Sequence, residues 1–125
     1  MMGKKILIVD DDVNLIKMMK PRLEANNFEV VTAHDGEEGL SKLESEKPDL
    51  LILDIVMPKV DGYTFLKEMK SRQMKAVEPI QPIPVIVLTG QEKMQDLFEI
   101  EGIKEYVVKP FEGSALLEKI KKHLS

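Results

Sequence analysis

The chain contains no cysteine. That absence removes disulfide frameworks, thiolate zinc sites and cysteine nucleophiles together, and it is compatible with a reducing compartment. Arginine is nearly missing too, with only Arg22 and Arg72 present. No arginine-rich stripe is available to track a phosphate backbone, and the net charge of −4 has the wrong sign for that task. We therefore expect no direct nucleic-acid partner. No apolar run approaches the roughly 20 residues that span a bilayer, so no membrane insertion is expected. Lys4 and Lys5 precede only the short apolar run Ile6 to Val9, which ends in aspartates. That run is too short for a secretory leader, and a cytoplasmic location is the expectation. Internal repeats, low-complexity segments and linkers are absent as well. One domain over residues 1–125 is expected, long enough to bury a core without metal or cross-links.

What the sequence does contain is alternation. Short apolar runs at 5–9, 28–32, 50–53, 85–88 and 105–108 read as strands, the continuous ones as strands buried on both faces. Between and after them lie amphipathic stretches at 13 to about 26, 36 to about 45, 61 to about 74, 92 to about 101 and 113 to about 123. Asp61 is a candidate N-cap and Gly102 a candidate helix stop. Pro21 inside the first helix predicts a kink or a break. The proline-rich stretch 75–84 predicts a loop. The pattern is (βα)5, an α/β fold with a doubly wound parallel five-stranded sheet. Such sheets place their sites outside the carboxyl ends of the strands, where the strand order switches.

The residues at those ends are unusual. The first strand ends in Asp10, Asp11 and Asp12, the third in Asp54, the fourth in Thr89 and Gly90, and the fifth in Lys109. If the strands are neighbours, several carboxylates, a hydroxyl and an ammonium converge on one pocket. Carboxylates in close quarters repel one another. A hard cation with oxygen ligands relieves that repulsion, and Mg2+ suits a site with few carboxylates. Such a pocket fits a tetrahedral dianion and phosphoryl transfer, with Asp54 able to act as nucleophile. Asp12, directly before a helix, fits an N-cap better than a ligand.

The stretches 6–12 (ILIVDDD), 49–58 (DLLILDIVMP), Asp61-Gly62, 84–90 (PVIVLTG) and 106–111 (YVVKPF) together resemble the receiver domain of two-component response regulators, the CheY-like, flavodoxin-like fold. The resemblance covers the chain from Lys4 to about Leu124. It implies that Asp54 is the phosphoacceptor and that Mg2+ is held by Asp10, Asp11, Asp54 and the backbone carbonyl of Val56. Asp11 would bind directly and Asp10 mainly through water. It further implies that Thr89 is the switch hydroxyl, Lys109 the phosphate-contacting lysine and Tyr106 the switch aromatic. The implied donor is a histidine kinase or histidine phosphotransfer protein. The implied output is a downstream effector protein or domain, engaged through the fourth helix, fifth strand and fifth helix.

Two other classes share parts of this pattern. A stand-alone aspartyl-phosphate phosphatase needs a second aspartate two residues after the nucleophile, where this chain has Val56. A flavin-binding module needs a Ser-, Thr- and Gly-rich loop after the first strand, where this chain has three aspartates. Val56 also offers no hydrogen bond to an attacking water, so slow self-dephosphorylation is expected of a self-phosphorylating switch. His34 reads as a surface residue, His123 as a partner of the helix dipole, and Lys119, Lys121 and Lys122 as a solvated helix end.

Overall fold

Branched aliphatic residues dominate five short segments, and these pair as one parallel sheet. The strands are β1 (Lys5–Val9), β2 (Glu29–Ala33), β3 (Leu50–Asp54), β4 (Val85–Thr89) and β5 (Ile103–Val108). The helices are α1 (Val13–Ala25), α2 (Gly36–Glu46), α3 (Gly62–Met74) and α4 (Gly113–Leu124). The computed structural model describes residues 3–54, 62–74, 83–90, 103–109 and 111–124. Among them, no helix is long and apolar enough to cross a membrane.

The strand order is β2-β1-β3-β4-β5, and every neighbouring pair is parallel. From β1 the chain moves outward to β2, then returns past β1 to build the other half. The order therefore reverses between β1 and β3, and this switch point opens a crevice at the carboxyl ends.

Side chains alternate across the pleat and sort the core into two layers. Leu7, Val9, Leu51, Leu53, Val85 and Val87 meet Leu40 of α2 and Phe65, Leu66 and Met69 of α3. Ile6, Ile8, Leu50, Ile52, Ile86 and Leu88 meet Leu15, Ile16, Met19 and Leu23 of α1 and Leu116 and Ile120 of α4. The doubly wound sheet expected from the sequence is thus present. Helix α2 lies very close to the sheet because Gly39 has no side chain. A Cβ there would stand 2.8 Å from Phe65 Cε2 and 2.9 Å from Val9 Cγ2.

Several boundaries differ from the sequence expectation. β2 starts and ends one residue later than 28–32, because the Phe28 N–H donates to the Leu23 carbonyl at 3.1 Å and closes the turn after α1. β3 and β4 each run one residue further and include Asp54 and Thr89. β5 begins two residues earlier, at Ile103, and carries an irregularity: Ile103 pairs with Val85 but Glu105 pairs with Ile86. Pro21 does not break α1. Its missing N–H orphans the Lys17 carbonyl, but both residues lie on the exposed side, while Leu15, Ile16, Met19 and Leu23 hold the helix from beneath. The helix expected at 92–101, the Asp61 cap and most of the proline-rich loop lie outside the described residues.

Candidate functional site

The alternation that sorts the core also sorts the polar residues at the strand ends. Ile6 and Ile8 face α1 and α4, so the next residue on that side of β1 is Asp10. Leu50 and Ile52 place Asp54 on the same side, and Val107 does so for Lys109. Val85 and Val87 face α2 and α3, so Thr89 falls on the opposite side. Tyr106 packs against that same opposite layer. Three functional candidates on one face, Asp10, Asp54 and Lys109, are thereby set back to back with two on the other, Thr89 and Tyr106.

Asp10 is completely buried. Its backbone N–H donates to Ala33 O at 3.0 Å, fixing the end of β1 against β2. Its Oδ1 accepts from the Asp12 N–H at 2.9 Å, and its Oδ2 accepts from Lys109 Nζ at 3.1 Å. Lys109 Nζ also lies 3.5 Å from Asp54 Oδ2. Asp54 is 6% exposed and Thr89 1% exposed. The Lys109 N–H donates to Thr89 O at 2.7 Å, which ties the end of β5 to the end of β4. Burial alone would push the Lys109 ammonium below the usual lysine range. The Asp10 and Asp54 carboxylates outweigh burial and hold it above that range.

Asp11 is exposed at the rim. One oxygen from each of Asp10, Asp11 and Asp54 can be chosen so that all lie within 4.8 Å of one another. Among the described residues, three carboxylates therefore share a space that Lys109 alone enters as a cation. The set is all oxygen, partly open to water and short of positive charge, which suits a hard divalent cation. Asp12 stands apart from it as the N-cap of α1, its side chain accepting from the N–H groups of Asn14 and Leu15. Of the residues singled out in the sequence, the structure thus brings Asp10, Asp11, Asp54 and Lys109 together, with Thr89 beside them in the sheet. Val56 lies outside the described residues.

The sequence reading missed one charged cluster. Lys119 is not simply a solvated residue: its Nζ donates to Glu105 Oε1 at 2.9 Å, while His123 Nε2 lies 2.8 Å from Glu105 Oε2. Two signals were available. Lys119 and His123 are four residues apart, hence on one helix face, and Glu105 is an acidic residue opening the strand read at 105–108. His34 meets the surface expectation, half exposed and paired with Glu38 at 3.3 Å.

Comparison with known proteins converges on one family. The family model described as the response regulator receiver domain matches residues 6–121. The alkaline phosphatase synthesis transcriptional regulatory protein PhoP of Bacillus subtilis is 35% identical over 96% of this chain and 48% of its own length. The chemotaxis protein CheY of the same organism is 38% identical over 99% of this chain and 100% of its own. The chain thus spans about half the length of that transcriptional regulator and the whole length of the chemotaxis protein. The crystal structure of a CheY-like response regulator receiver domain protein from Methanospirillum hungatei superposes with a TM-score of 0.83 at 33% identity. It covers 98% of this chain and 94% of the other. With the sheet order, the carboxylate crevice and these likenesses in agreement, the chain belongs to the response regulator receiver domains of two-component signal transduction.

Proposed function

We propose that the chain is one receiver domain over residues 1–125 that accepts a phosphoryl group on Asp54. The observation that carries this reading is the meeting of Asp10, Asp11 and Asp54 oxygens within 4.8 Å, bridged by Lys109 between Asp10 and Asp54. Asp54 ends the central strand of the sheet, beside the switch point, and is the one member of the carboxylate cluster that closes a strand.

The donor is a phosphohistidine on a histidine kinase or histidine phosphotransfer protein. An Asp54 carboxylate oxygen attacks phosphorus, the P–N bond breaks, and its electron pair returns to the donor imidazole, which then takes up a proton. Asp11 and Asp54 would supply carboxylate oxygens to Mg2+ and Asp10 would act on it mainly through water, with the Val56 carbonyl as the fourth proposed ligand. When bound, Mg2+ supplies positive charge against the carboxylates and the phosphoryl oxygens. Lys109 presents its ammonium to the incoming group; attraction to Asp10 and Asp54 has already placed it at the crevice. Thr89, at the end of the strand next to β3, presents its hydroxyl. As Thr89 turns toward the phosphoryl group it vacates space on the α2/α3 side that the Tyr106 ring fills. The change biases two pre-existing states by differential contacts. It alters the surface of β5, α4 and the stretch expected as a helix at 92–101, which engages a downstream effector. The domain works in the cytoplasm without direct nucleic-acid contact.

The reading is tested by intact mass after incubation with phosphoramidate and Mg2+. The wild type gains one phosphoryl group, and Asp54→Asn gains none while keeping its melting transition. Equal labelling of the variant contradicts the assignment.

A further inference from the structure

Strand β5 gains one residue relative to β4 between Ile103 and Glu105. An extra residue flips the face of everything on one side of it. Ile103 packs against the α2/α3 layer. Without the irregularity Glu105 would share that apolar face. With it, Glu105 points to the α4 side, where Lys119 and His123 hold it, and Tyr106 is delivered to the face of Thr89.

The register that seats Tyr106 is therefore the register that lets Glu105 reach α4. We propose that Glu105, Lys119 and His123 form a latch that positions Tyr106. This rests on the reading of Tyr106 as the switch aromatic. Glu105 is a positioning residue, acting through the strand.

Among the described residues, the charged groups facing Glu105 are Lys119, Lys122 and His123, all from α4. Across the strand pair it is in register with Ile86, which is apolar. Burial pushes the Glu105 carboxyl up. The hydrogen bonds from Lys119 and His123 outweigh burial and bring it below the usual glutamate range. The carboxylate thus stays ionised at neutral pH, held on one oxygen by Lys119 and on the other by His123. That two-point hold pins the strand residue next to Glu105 and keeps the Tyr106 ring in its seat.

The test uses the two tyrosines, Tyr63 and Tyr106, the only ones in the chain. Ring carbon signals of both are followed by NMR at neutral pH in the unphosphorylated protein. A Tyr63→Phe variant assigns the rings. In His123→Gln and Glu105→Gln, each checked for an intact melting transition, the Tyr106 signal leaves its wild-type position and the Tyr63 signal is unchanged, whereas His34→Gln leaves both signals in place. A Tyr106 signal that keeps its wild-type position in His123→Gln overturns the latch. No phosphoryl transfer is involved, so failure of Asp54 as acceptor would leave this result intact.

Discussion

Two charged clusters hang on the same strand, one at its middle and one just past its carboxyl end, and they are built on opposite terms. At the carboxyl end, Lys109 meets two buried carboxylates, Asp10 and Asp54, with a third, Asp11, beside them at the rim. At the middle, Glu105 meets Lys119 and His123, so its single negative charge is fully answered. The second cluster is self-sufficient, whereas the first carries an excess of negative charge at the switch point of the sheet. Such an excess is costly unless a cation arrives. The contrast separates a site prepared to bind from a contact that holds the fold.

The largest expected effect is at Asp54. Asp54→Asn abolishes phosphoryl labelling completely, whereas Glu105→Gln leaves full labelling at saturating donor. Intact mass reads both, and comparable losses in the two variants would erase the distinction.

Next in size is the removal of each cluster's lysine. Lys109→Gln leaves the fully buried Asp10 without its cation, and breaking a buried pair costs about 3–5 kcal/mol. Lys119→Gln removes a lysine that is more than a third exposed and should cost less than about 1 kcal/mol. Denaturant midpoints without Mg2+ make the comparison, and the difference shrinks when Mg2+ is added.

How well each cluster could be read from sequence follows the same division. The site was legible because strand ends are marked by the change from apolar runs to Asp10, Asp54, Thr89 and Lys109, and parallel topology brings those ends together. The five strands and both core layers were legible for the same reason. The latch was not, because it depends on an extra residue in β5 that no periodicity announces. Read as a strand from Glu105 onward, the segment shows neither Ile103 nor the change of face. The one-residue shift of β2 was hidden similarly, in a hydrogen bond that Phe28 makes to the end of α1.

Metal binding sharpens the contrast further. Adding Mg2+ at about 100 times its dissociation constant stabilises the wild type by about 2.7 kcal/mol. Asp11→Ala loses that gain, yet melts no lower than wild type without metal, because one like charge has gone. Glu105→Gln keeps the gain. Melting curves with and without Mg2+ decide, and an equal gain in Asp11→Ala would remove it from the ligand set.

The smallest effect is in acid. The Glu105 carboxyl lies below the ordinary glutamate range when folded. Its contribution is present above the unfolded value, near about pH 4.3, and fades as pH falls through the folded one. Lys109 is shifted the other way, upward, so its contribution fades only as pH rises above about 10.4. Glu105→Gln therefore flattens the fall in stability below about pH 4.3. Melting temperatures across the acid limb check the sign, and a fall as steep as that of the wild type would contradict it.

The most direct test locates the phosphoryl group itself. After phosphoramidate and Mg2+, borohydride reduces an aspartyl phosphate to homoserine, which marks the modified position for peptide fragmentation. The charge-excess account predicts the mark at Asp54 alone, with none when Mg2+ is chelated. A mark at Asp10, Asp11 or Asp12, or an undiminished mark without the metal, would contradict it.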